Sequence, residues 1–431
     1  MRRAFFATFA IAVALAAPTA AQANAVTDWH RLAMSTLVAV PGPAGGAPPA
    51  LQINMAMTQG AVYDAVNAVT PKHHRPYLLN RRFGATANKD AAIATAAYRV
   101  LTSVLADVPA TIPFPNRAAL QAGLDAAYMA AAGPIPASPF KRMGVEAGNA
   151  AADAMIAARQ GDGRFGPSQW NQQTGAGYWQ PLLDPVSGLP QLDPTPWVGG
   201  VRPFLLTSPS QFRTPGPNPL GSPQWVADYN EVKTLGSVNS AVRTAEQTHN
   251  ALFWQSNGGP PLLWGDVADD LAEGSSMSLA DTARLLAMLN IGGADTSINT
   301  WNDKYYWDFW RPWSAIRGDD GNPATVPDPN WAALLTAPYP EHPSGHLGLD
   351  GVHLPVLQMF FGDNVHFGVT SSRFGGETRF FDHFSDALAE IIEARIWAGL
   401  HYRTADMQAV ALGENVFDYI VANYFQPVGN H

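Results

Sequence analysis

The sequence predicts a mainly α protein, a helix bundle carrying one long irregular excursion rich in proline and glycine. Three observations lead there. Alanine-rich segments with apolar residues three and four positions apart recur along the chain, as over 59–69 and 89–105. Convincing strand alternation is absent. The abundant Gly (38) and Pro (36) recur every few residues over 161–223, where the helical patterns stop. With 431 residues, 47% of them hydrophobic, the chain can bury one large core. No internal repeat is visible, and no boundary divides 24–431 into independent domains.

Taken in order, residues 1–23 read as a signal peptide. Arg2 and Arg3 form the positive start, residues 5–17 are apolar, and Ala21-Gln22-Ala23 offers small residues for cleavage before Asn24. Ala23-Asn24-Ala25 is a second candidate, and an uncut N-terminal anchor is the alternative. No later run reaches the roughly 18 apolar residues of a spanning helix. The expectation is an exported protein, periplasmic or secreted, with no membrane contact once the leader is removed. Residues 24–160 follow as the N-terminal helices.

The excursion over 161–223 is too long for an ordinary connector. Trp170, Trp179 and Trp197 lie within it, and tryptophans seek burial, so it is expected to wrap the helices or roof a pocket. Residues 224–431 form the second, catalytic half. Helical signals return near Trp225. Thr244 and Gln247 have the spacing of a capping box, and helical patterns follow at 278–290, 346–360, 380–398 and 406–424.

The net charge of −9 argues against a nucleic-acid partner. The chain has no cysteine, which excludes disulfides and a thiol nucleophile, so stability must come from packing. Against this acidic background the second half carries a local set of basic residues. Lys304 and Arg311 are seven apart, about 700° on a helix and so nearly on one face, with Pro312 placing the arginine at the helix end. Alone, the pair fits a surface Lys and Arg beside a core helix better than a binding site.

Ser344, Gly345 and His346 follow a proline-rich turn and precede an apolar helical run. Ser344 reads as the N-cap, Gly345 lets an anion approach the backbone, and His346 sits in the first turn. Alone, this also fits an ordinary capped helix. Arg395 and His401 are six apart and converge on one ligand only where the helix ends or bends at Gly399. Arginine forks, a lysine charge, a helix N-terminus and two histidines suit a tetrahedral oxyanion.

In this order and at these gaps, Lys304, Arg311-Pro312, Pro343-Ser344-Gly345-His346, Arg395 and His401 resemble the vanadium-dependent haloperoxidase and type 2 phosphatidic acid phosphatase (acid phosphatase) superfamily. Residues 304–317, 395–403 and 243–254 extend the likeness on the haloperoxidase side. The resemblance is tight over roughly 243–415. It implies a helix bundle of the haloperoxidase/acid phosphatase type in which Lys304, Arg311, Ser344, Gly345 and Arg395 hold the oxygens of vanadate, His401 binds vanadium, and His346 is the acid–base residue. The reaction so implied is oxidation of a halide by hydrogen peroxide, with an organic acceptor.

The alternative is an exported acid phosphatase acting on a phosphate ester, with His401 as the phosphorylated nucleophile and His346 protonating the leaving group. A non-catalytic oxyanion binder is a third reading. The resemblance is also compatible with a homodimer. Glu246, by position, is a candidate carboxylate bracing an active-site Arg or His, or simply an acidic residue favouring its helix dipole. Two departures stand out: Ala394 replaces a serine beside Arg395, and Ala405 stands where the family places an acid four residues after the histidine, with Asp406 one later. The halide is not legible from Tyr339, five residues before Ser344.

Overall fold

The computed structural model describes residues 24–70, 74–167 and 173–428. The expected leader over 1–23 and Trp170 lie outside them. In chain order the helices are α1 (Ala25–Val38), α2 (Pro48–Val69), α3 (Lys89–Asp107), α4 (Arg117–Ala132), α5 (Pro139–Ala158), α6 (Pro223–Leu235), α7 (Ala245–Phe253), α8 (Pro260–Gly274), α9 (Leu279–Trp307), α10 (Pro312–Arg317) and α11 (Gly345–Phe361). A hairpin of β1 (Asn364–Ser371) and β2 (Glu377–His383) precedes α12 (Phe384–Trp397) and α13 (Arg403–Asn423). Side chains satisfy many of the first-turn N–H groups: Asn24, Asn88, Ser138, Ser222 and Ser278 each accept one, and Thr244 with Gln247 forms the predicted capping box.

Two helices buried nearly all round, α2 and α9, pack together at the centre. Helices α3 and α5 cover α2, while α11 and α13 lie against the other side of α9. Helices α11 and α13 approach very closely, because Gly351 and Gly413 face the opposite backbone. A Cβ at either would fall 2.4 Å from a carbonyl oxygen, of Val410 or of Gly348. This approach sets the N-terminus of α11 beside that of α13, where the Ser344 N–H reaches the Ala405 carbonyl at 3.3 Å.

The excursion is ordered where it is described, and carboxylates strap it to α9. Buried Asp295 accepts the backbone N–H groups of Phe204 (2.6 Å), Leu205 (2.7 Å) and Leu206 (2.9 Å). Buried Asp303 takes both the N–H and the hydroxyl of Thr214. In return, Asp193 of the excursion accepts from the Trp301 indole and the Tyr305 hydroxyl of α9. Trp179 and Trp197 are buried, as expected.

The hairpin departs from the expectation that strands are absent. Its antiparallel register pairs Phe367 with Phe381 and Val369 with Arg379. The stretch 380–398, expected to be helical throughout, is strand to His383 and helix from Phe384. Val365, Phe367 and Val369 do alternate, and Phe367 and Val369 face the core. The signal was a short one beside a long helical run. Among the described residues no helix is long and apolar enough to cross a membrane.

Candidate active site

The basic residues converge at one end of the bundle. Lys304 lies in the last turn of α9 and is fully buried, its Nζ donating to the carbonyls of Pro340 (3.1 Å), Glu341 (3.0 Å) and Pro343 (2.5 Å). Burial and the neighbouring Arg311 push its pKa well below the usual lysine value.

Lys304 and Arg311 do not share a helix face, contrary to the spacing argument. Helix α9 stops at Trp307, Asp308 takes a left-handed conformation at φ 47°, and Arg311 is extended as the N-cap of α10. Pro312 disfavours helix at Arg311 as argued, but a chain reversal brings the pair together. The guanidinium donates from Nε to the Tyr339 carbonyl (2.9 Å) and from Nη1 to that of Leu400 (2.7 Å), and Nη1 lies 3.3 Å from His401 Nε2.

A Schellman motif delivers His401 to Arg395. The Leu400 N–H bonds to the Arg395 carbonyl (3.2 Å) and the Gly399 N–H to that of Ile396 (2.9 Å), with Gly399 at φ 71°. The bend at Gly399 is the expected one. Arg395 is buried, and its Nη1 donates to Gln255 Oε1 at 3.2 Å.

The carboxylate bracing His401 is Glu341. Its Oε1 lies 2.8 Å from His401 Nδ1 and also accepts the Tyr402 N–H at 3.1 Å. Desolvation and the cations Arg311, Lys304 and Arg395 push His401 well below the usual histidine pKa, so its ring is neutral. With the proton on Nδ1 and donated to Glu341, Nε2 presents a lone pair. Burial drives Glu341 itself up to about 8, against the pull of Arg311 and Lys304.

Glu246 does not brace the site. It is exposed on α7 and pairs with Arg379 of the hairpin at 3.1 Å. Position in the sequence could not separate it from Glu341, which was missed. The available signal was a lone acid inside the proline-rich turn, three residues before Ser344.

Ser344 occupies the N-cap position of α11, but its hydroxyl makes no capping bond. It stands near the buried Asp406 carboxyl and lowers that group's pKa, while burial raises it overall. The shifted acid thus serves the serine side of the site, and Glu341 takes the histidine. A Cβ on Gly345 would press into the Trp301 ring at 3.0 Å.

Gly345, His346, Arg395 and His401 line a cavity of about 210 Å³, walled by Trp301, Tyr339 and Trp254 and roofed in part by Asp193, Pro194 and Thr195 of the excursion. Lys304, Arg311 and Ser344 are not among its lining residues, and Arg311 reaches the site through its contact with His401 Nε2. Three buried nitrogens here make no hydrogen bond to protein: Arg311 Nη2, Arg395 Nε and His346 Nε2. Buried donors seek partners, and two of these are guanidinium atoms suited to an oxyanion's oxygens. The donor set therefore fits a tetrahedral oxyanion. Among the described residues no group of three or more His, Asp or Glu is placed to hold a metal cation.

Comparison with known proteins bears on the fold and the family resemblance. Residues 284–429 match the family model described as the VCPO second helical-bundle domain. Vanadium chloroperoxidase of Curvularia inaequalis is 26% identical over 203 residues, a stretch covering 39% of this chain and 33% of that protein. The match thus spans about a third of the relative's length. The crystal structure of the first bacterial vanadium-dependent iodoperoxidase superposes with a TM-score of 0.72 at 21% identity, over 94% of this chain and 96% of the other. That of a holo-type bacterial vanadium-dependent chloroperoxidase gives 0.67 at 18% identity, over 89% and 92%. The chain has the fold of these proteins, and the resemblance to the haloperoxidase-like branch of the superfamily is borne out.

Proposed function

We propose that this protein is a vanadate-dependent haloperoxidase, oxidising a halide with hydrogen peroxide and passing the oxidised halogen to an organic acceptor. The observation that carries the reading is the gathering of Gly345, His346 and Arg395 around one cavity with His401, whose Nε2 meets Arg311 and whose Nδ1 is held by Glu341, with Lys304 close enough to act on its charge. Arg311 and Arg395 bind oxyanion oxygens through their free guanidinium nitrogens. Lys304 adds positive charge, and Ser344 and Gly345 offer a hydroxyl and an N–H at the start of α11.

His401 presents Nε2 to the metal, and His346 exchanges protons at the cavity. Trp301, Tyr339 and Trp254 exclude bulk water. Bound vanadate supplies a Lewis-acid centre that activates hydrogen peroxide. The similarity to haloperoxidases extends over nearly the whole chain and favours this reading over ester hydrolysis by the same cage. The leader over residues 1–23 supports placing the reaction outside the cytoplasm.

The test is halogenation by the purified protein with hydrogen peroxide and bromide or iodide, with and without orthovanadate, beside a phosphatase control. Vanadate-dependent halogenation is expected, and inorganic phosphate should compete with vanadate for one cage. Ester hydrolysis inhibited by vanadate, with no halogenation, would refute the oxidative reading and make His401 a phosphorylated nucleophile.

A further inference from the structure

His346 has a buried carboxylate neighbour on its own helix. Asp350 lies one turn further along α11, with Oδ2 3.7 Å from His346 Nε2. Both atoms are buried and neither makes a hydrogen bond to protein. Asp350 is fully buried, and its other oxygen, Oδ1, is fixed by the Trp264 indole of α8 at 2.7 Å. A carboxylate anchored on one side therefore presents its free oxygen to the enclosed nitrogen of a histidine that lines the cavity.

The separation is one that a small ring rotation closes, and acid–base contacts of this kind are commonly long before ligand binds. The charged and titratable groups around the pair are Arg395 from α12, His401 beyond its end, His353 further along α11, and Asp406 of α13, which faces Arg395. None of them makes a hydrogen bond to Asp350 Oδ2 or His346 Nε2.

We propose that Asp350 is a positioning residue for His346: it accepts the Nε2–H of that ring, and so leaves Nδ1 as the proton-exchanging atom toward the cavity. The inference rests on the acid–base role of His346 in the proposed function. An unbraced imidazole could turn either nitrogen to the ligand. One held from behind keeps a single tautomer and a single direction, as outer carboxylates do for other functional histidines. Burial pushes the Asp350 carboxyl up to about 7, against the pull of Trp264 and Arg395, so the carboxylate that accepts the Nε2–H is formed above neutral pH.

The test uses the ligand-free full chain and the vanadate-loaded enzyme. In ligand-free protein, nitrogen NMR of His346 should show the Nε2–H tautomer above pH 7. In Asp350→Asn the amide NH₂ faces Nε2, and the proton should move to Nδ1. In the loaded enzyme the same variant should lose about 10- to 100-fold in kcat, with KM for halide within about twofold and vanadate affinity unchanged. Trp264→Phe, which keeps the carboxylate but frees it, should give a smaller loss in kcat.

An unchanged tautomer in Asp350→Asn, or a loss confined to vanadate affinity, would overturn the proposal. Should Asp350→Asn fail to fold, the Trp264→Phe profile and the wild-type tautomer decide. A protein that shows the tautomer switch but halogenates nothing leaves the dyad standing and removes only the haloperoxidase reading.

Discussion

Replacing Glu341 with glutamine tests the brace on His401 most directly. Glutamine keeps Oε1 as acceptor for His401 Nδ1 (2.8 Å) and the Tyr402 N–H (3.1 Å), so the local geometry survives. What is lost is the negative charge that Glu341 carries above its raised pKa of about 8, and with it the basicity that charge lends to Nε2. Removing such outer partners typically lowers metal affinity about 10- to 100-fold, or about 1.4–2.7 kcal/mol. Orthovanadate should therefore reconstitute Glu341→Gln with a half-saturating concentration raised by about that factor, while kcat at saturation falls less.

Stability adds an independent readout. The folded pKa of Glu341 is raised from its ordinary 4.5 to about 8 by burial. A raised acid contributes stability that is fully present below the unfolded value and lost as pH rises through the folded one. Wild type should lose stability between about pH 4.5 and 8 that the glutamine variant keeps, so the difference in Tm should move in the variant's favour across that window. A variant that binds vanadate like wild type, with a pH-independent Tm difference, would refute the brace.

Other substitutions separate site, scaffold and surface. Gly399→Ala places a Cβ 2.5 Å from the Gly236 carbonyl at φ 71°; it should destabilise by about 1–3 kcal/mol in urea melts and weaken vanadate binding, because the turn carries His401. Glu246→Gln touches only an exposed pair with Arg379, so stability should stay within about 0.5 kcal/mol and halogenation should be unchanged; a large loss of activity would restore Glu246 to the site. Asp295→Ala orphans three buried backbone N–H groups of the excursion and should destabilise by about 3 kcal/mol or more in chemical denaturation.

Much of this protein is local and therefore legible in the chain. The capping box at Thr244, the alanine-rich periodicity of α2 and α3, and the Gly399 turn are each decided within a few residues, by backbone hydrogen bonding and sterics. The residue types of the site are likewise legible, since an oxyanion needs arginine forks, a helix N-terminus and histidines whatever surrounds them. The short hairpin was legible only in hindsight, from three alternating apolar residues beside a long helical run.

Tertiary structure decided which of these residues meet. The reversal at Asp308, rather than a seven-residue helical spacing, turns Arg311 toward His401. Glu341 and His401 are 60 positions apart, and Glu246, equally acidic and beside a likeness to the same family, is left at the surface. Asp406 goes to the serine and Glu341 to the histidine because Gly351 and Gly413 let α11 and α13 approach. Sequence sets the chemistry each side chain can perform and the local bends that aim it. Partner choice depends on burial and on helix approach across many positions of the chain, and only the packed bundle fixes those.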